Sequence, residues 1–142
     1  YDAGDYDGAF EYFSKAADLG DVKAHYNLSV MYREGGGVEK DEKKELYHLE
    51  EAAIGGHPGA RYNLGVSEWN NGRNERAMKH FTIAAKLGDD DSLEMVKNGY
   101  ADGYVSKEDF AAALRAHQAA IDATKSPQRE AAELHYSASL PK

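Results

Sequence analysis

The chain has 142 residues, a formal charge of −8, 42% hydrophobic and 30% charged residues, and no cysteine. That length suits one domain able to bury an apolar core. The acidic balance argues against a general nucleic-acid binder, whose affinity rests on Lys and Arg neutralising phosphates. Missing cysteines exclude disulfides and thiolate metal ligands, and no apolar run approaches the roughly 18–20 residues of a membrane span.

Read in chain order, the sequence opens without a methionine inside a pattern that resembles the second helix of a helix pair, as expected of an excerpt from a longer protein. From Tyr6 to Leu19, Ala9, Phe10, Phe13, Ala16 and Ala17 recur at steps of one, three and four, the stripe of an amphipathic helix that Gly20 ends. A second helix is predicted from about Val22 to Arg33, with Ala24, Leu28, Met31 and Tyr32 on one side, stopped by Gly35-Gly36-Gly37. Asp41 is an N-cap for a third helix through Leu46, Leu49, Ala52 and Ala53. Pro58 suits the first turn of a fourth helix, which spans about Ala60 to Trp69 and closes at Asn70-Asn71-Gly72.

A fifth helix runs from Asn74 to Leu87, and Asp89-Asp90-Asp91 favours the start of a sixth through Leu93, Val96 and Tyr100. Ser106 and Asp109 form a capping arrangement before an alanine-rich helix that reaches about Thr124. Ser126-Pro127 is expected to break it, leaving a tail at 126–142 with a short capping helix from Gln128 to Tyr136. No segment alternates with a period of two, so strands are not expected.

These elements repeat. Ala24-His25-Tyr26-Asn27-Leu28 returns 36 positions later as Ala60-Arg61-Tyr62-Asn63-Leu64. Ala16-Ala17, Ala52-Ala53 and Ala84-Ala85 are spaced by 36 and then 32. Such periods signal stacked units, each too small to bury its apolar face alone. Small residues such as Ala16, Ala24, Ala52 and Ala60 let helices approach, while Phe13, Leu28, Leu64 and Phe81 fill the space between them. The expected organisation is a repeat domain over 1–125, with a truncated unit's second helix at 5–19 and units at about 22–54, 59–87 and 90–124.

The pattern resembles the tetratricopeptide superfamily, and within it the Sel-one-like repeats. The resemblance rests on Ala24, Leu28, Ser29, Tyr32 and Gly35, and on a loop carrying Gly35, Gly37, Val38, Asp41 and Lys44. It rests also on paired bulky residues before Ala-Ala and Gly: Tyr12-Phe13, His48-Leu49 and His80-Phe81. Glu45 departs from the alanine expected there, and the loop from Asn70 to Arg76 is short. The fold implied is all-α, an α-solenoid of antiparallel helix pairs wound as a right-handed superhelix.

Catalytic chemistry is not assembled by the sequence. His48 and His80 occupy a slot where the family usually places an aromatic, His57 lies in a turn, and His25, His117 and His135 read as isolated. No pair has the i, i+4 spacing with a Glu that a zinc protease needs. The three aspartates lack the alternating ligands of a calcium loop, and the glycine cluster lacks the Lys-Ser/Thr of a phosphate loop. No nucleophile, base and orienting group can be named together, so the expectation is no enzyme, no metal and no cofactor.

Binding is expected instead on the inner face, which the resemblance assigns to the first helix of each unit. There the residues left over from the core are Lys23, Tyr26, Asn27, Val30, Arg33 and Glu34, then Tyr62, Asn63, Val66, Trp69 and Asn70. Paired tyrosines and asparagines with the single tryptophan suit an extended peptide or a partner helix. Equally, the tyrosines could pack on the next helix and the asparagines tie local backbone. The implied function is a non-catalytic adaptor scaffolding a complex through a concave groove, with a basic or amphipathic protein or peptide as partner and no nucleic acid. The alternative is an accessory segment of a larger enzyme or regulatory protein. The absence of cysteine and of a secretory signal favours an intracellular soluble compartment.

Overall fold

The computed structural model describes the backbone of residues 3–139 and the side chains of residues 5–125. Among them are seven helices and no strand: α1 (Ala3–Asp18), α2 (Val22–Glu34), α3 (Glu42–Ile54), α4 (Pro58–Asn70), α5 (Asn74–Lys86), α6 (Asp90–Ala101) and α7 (Lys107–Ser139). Each packs on the next along the chain, and α5 also touches α7, the arrangement of a solenoid of helix pairs.

Helix starts repeat with the sequence. Asp21, His57 and Asp89 cap α2, α4 and α6, each accepting the backbone N–H three residues on, from Ala24 (2.9 Å), Ala60 (3.0 Å) and Ser92 (2.8 Å). Ala24, Ala60 and Ser92 are themselves buried. The cap therefore fixes the start of the helix and the small residue that lets a neighbour approach. Asp41 caps α3 through Lys44 N–H at 3.1 Å, as its sequence position predicts. Gly35 ends α2 in the left-handed region, φ 77°, where a side chain would be strained.

The core is three clusters in series. One groups Ala17, Ala24, Leu28 and Met31; the next groups Leu49, Ala52, Ala53, Ala60 and Leu64; the last is built around Phe81 with Ala77, Met78, Ala85, Val96 and Ala113. Glycines permit two close approaches. A Cβ at Gly65 would lie 2.6 Å from the Phe81 ring, and one at Gly99 would meet the Met78 sulfur.

One expectation is overturned. Ser126-Pro127 does not break the chain, and α7 continues to Ser139 with no separate capping helix at 128–136. Proline in a helix interior loses one backbone hydrogen bond and crowds the preceding turn. The flanks of Pro127 are strong helix formers, alanine-rich before it and Gln128-Arg129-Glu130-Ala131-Ala132 after it, and they carry the helix through.

Candidate functional site

The inner-face residues lie on one side of α2 and its counterpart on α4, away from the buried Leu28 and Leu64. Tyr26 and Tyr62 are half-buried and serve packing. The Tyr26 ring stacks on His57 with centroids 4.3 Å apart, and Tyr62 lies against Phe81 at 5.5 Å. Trp69 is half-buried, edge-on to Tyr104 at 5.8 Å. Val66 also packs against the Phe81 cluster. Lys23, Arg33 and Asn70 are exposed, with Arg33 3.7 Å from Glu34. Asn27 and Asn63 are half-buried, and among the described residues neither side-chain amide is seen to tie backbone.

Two clefts open on this face. One of about 200 Å³ is bounded by Tyr6 and Phe13 of α1 and by Asn27, Val30, Met31 and Glu34 of α2. The other, about 320 Å³, is bounded by Trp69, Met78, Met95, Asn98, Gly99 and Asp102. Offsets of 36 and 32 carry Asn27 to Asn63 and Met95, Val30 to Val66 and Asn98, and Glu34 to Asn70 and Asp102. The two clefts thus use the same positions in the first and third units. The side of the helices that carries the sequence-read residues therefore continues beyond those two units, to Tyr6 and Phe13 in one direction and Met95, Asn98 and Asp102 in the other. The repeat offsets carried that signal, but α6 has replaced the recognisable Tyr-Asn by Glu94-Met95.

Charge along this face is graded. Lys23, Arg33 and Glu34 stand on α2, the matching positions of α4 are neutral, and Asp91, Glu94 and Asp102 are exposed on α6. Nothing about the graded charge calls for a metal. Among the described residues, no three His, Cys, Asp or Glu side chains gather to hold one.

The histidines are less solitary than their spacing suggests. Nδ1 of His25 and Nδ1 of His48 are 2.9 Å apart, so one donates to the other across α2 and α3, while Tyr32 stacks on His48 at 5.8 Å. His117, buried, lies 2.8 Å from Asp90 Oδ1. Both pairs correct the reading of His25 and His117 as isolated; they join helices 23 and 27 residues apart in sequence, a proximity that no local spacing encodes. Burial holds His48 below the ordinary histidine range, with His25 adding to it. His80 is lowered by burial and then by Arg61, and His57 by burial and then by Lys23.

Residues 3–21 and 22–57 match the Sel1 repeat, and residues 47–92 match the tetratricopeptide repeat. The mouse protein DAP3-binding cell death enhancer 1 is 27% identical over 167 aligned positions, covering 89% of this chain and 33% of that protein. Chitin synthase regulatory factor 4 of Schizosaccharomyces pombe is 30% identical over 84 residues, 58% of this chain and 13% of its own length. The chain thus spans a third or less of these curated relatives. A Sel1 repeat protein from Oxalobacter formigenes superposes with a TM-score of 0.61 at 28% identity, over 75% of this chain and 45% of that one. A protective antigen of uropathogenic Escherichia coli displaying an SLR fold gives 0.63 at 24% identity, over 77% and 25%.

Proposed function

We propose, from the match of residues 3–57 to the Sel1 repeat and of residues 47–92 to the tetratricopeptide repeat, that the chain is a non-catalytic protein-interaction module whose inner face holds an extended basic or amphipathic peptide, or a partner helix of that character. The observation that carries this reading is the pair of clefts built from the same repeat positions, around Asn27 and Val30 and around Met95 and Asn98. Half-buried amides without a local backbone tie are available to hold a peptide backbone, and apolar clefts at repeat spacing take alternate side chains. The acidic α6 end favours the basic part of the partner there.

A second reading, a regulatory segment within a larger protein, is supported by the small share of each relative that the chain covers.

The test is to select peptides from a random library on the folded protein and measure their affinity for Asn63→Ala/Trp69→Ala. Loss of roughly tenfold or more, with unchanged helicity, is the expected result. Peptides that bind this variant as well as the parent move the interface off the inner face.

A further inference from the structure

On the far side of α4 from Val66, a cleft of about 310 Å³ lies between α3, α4 and α5. Leu46, Ala53, Ile54 and Leu64 make its apolar wall, and Arg61 and His80 stand within it. Arg61 donates from Nη2 to the carbonyl oxygen of Ala53 at 3.3 Å and from Nη1 to His80 Nδ1 at 3.4 Å. Its Nε–H is buried and donates to nothing among the described residues. Among the described residues no carboxylate lies within ion-pair distance of the guanidinium either; Glu68, which lines the same cleft, is engaged with Arg73 at 2.6 Å.

The preceding unit shows why the space is open here. Position 61 corresponds to His25, 80 to His48, 68 to Tyr32, 67 to Met31 and 46 to Phe10. There the Tyr32 ring fills the equivalent place, stacked on His48 and edge-on to Phe10 at 6.0 Å, and the two histidines satisfy one another. In the second unit a glutamate, a serine and a leucine replace the large side chains, and arginine brings more donors than His80 and Ala53 can accept.

We propose that this cleft binds a small monocarboxylate with an aliphatic body. The carboxylate would accept from the Arg61 guanidinium that lines the cleft, and the long contacts to His80 and Ala53 would give way so that the buried Nε–H gains the charge-assisted partner it lacks, while the aliphatic part would lie on Leu46, Ile54 and Leu64. The volume suits a ligand of that size. Glu50 and Glu68 line the same cleft and repel a dianion such as phosphate more strongly than a monocarboxylate. The carboxylate can belong to a free acid or to the end of a peptide.

The experiment follows the Arg61 Nε–H resonance by NMR in the folded protein on titration with 4-methylpentanoate, N-acetyl-leucine, 4-methylpentanamide and inorganic phosphate. A saturable shift with either acid, at least about tenfold weaker for the amide and for phosphate, supports the site, and the better acid identifies the source. Arg61→His, which installs the residue of the first unit, folds and abolishes the acid-induced shifts at neighbouring amides. Equal response to acid and amide, stronger response to phosphate, no shift at Nε–H, or undiminished binding by Arg61→His overturns the proposal.

Discussion

Nδ1 of His57 accepts the backbone N–H of Ala60 at 3.0 Å, so a histidine does at the start of α4 what Asp21 and Asp89 do at the starts of α2 and α6. An aspartate cap keeps its acceptor down to acid pH, whereas imidazole loses the acceptor on protonation and then places a positive charge at a positive helix end.

Stability is therefore predicted to rise with pH across the histidine range. His48, His57 and His80 all sit below the ordinary value of 6.5, with burial the first cause. Their stabilising effect is complete above that value and is lost as pH falls from it toward their folded pKa values, because the unfolded chain then binds more protons. Chemical denaturation at several pH values between about 5.5 and 7.5 should show a positive slope. His57→Asp should make the slope shallower, since it replaces a titrating cap by the residue of the neighbouring units; an unaltered slope assigns the effect to His48 and His80 alone.

Gly65 has no room for a methyl group against Phe81. Alanine at 65 gains about 1 kcal/mol of helix propensity, yet forces α4 from α5 at a cost of roughly 1–3 kcal/mol. We expect Gly65→Ala to lower stability and Gly8→Ala, where nothing lies within 4 Å of the added carbon, to raise it or leave it unchanged. Equal effects in thermal melts would mean that Phe81 yields.

Leu64 is 7% exposed in the central cluster with Leu49, Ala52, Ala53 and Ala60. Leu64→Ala should cost about 2–5 kcal/mol, as truncations that leave a core cavity do. A denaturation midpoint that barely moves would show that α3 and α4 close over the gap.

Much of the fold could be read from periodicity because solenoid contacts are local. Ala24, Leu28, Ala60 and Leu64 announce the core by recurring at a fixed offset, and Asp41, Gly35 and Pro58 mark helix ends through backbone chemistry that acts within a few residues. What periodicity does not carry is the consequence of breaking it. His25 with His48 and Arg61 with His80 occupy one repeated contact, but the first pair is mutually satisfied and the second leaves a buried donor over. The donor left over comes from His25 becoming Arg61, and the open space beside it from Tyr32 becoming Glu68, a substitution on another turn of the same helix. The course of α7 through Pro127 was hidden for a related reason, since a single breaker competes against many flanking residues. On the inner face, the tyrosines were recognisable as a repeated pair, whereas their stacking on His57 and Phe81 required the neighbouring helices to be in place.

The graded charge of the inner face gives the last prediction. Asp91, Glu94 and Asp102 are exposed on α6, and α2 presents Lys23 and Arg33 at the other end. Exposed charges act mainly on encounter and orientation, over a screening length of about 8 Å at physiological salt. A basic peptide selected on the protein should therefore associate more slowly with Glu94→Lys/Asp102→Lys, by several-fold, while its dissociation rate changes little. The dependence of association on salt should flatten in the same variant. A peptide carrying a label at its basic end should show paramagnetic broadening at α6 amides and none at α2. Broadening centred on α2, or association rates that ignore both salt and the two lysines, would mean that the clefts around Val30 and Asn98 hold the partner by apolar contact alone and that charge does not set its direction.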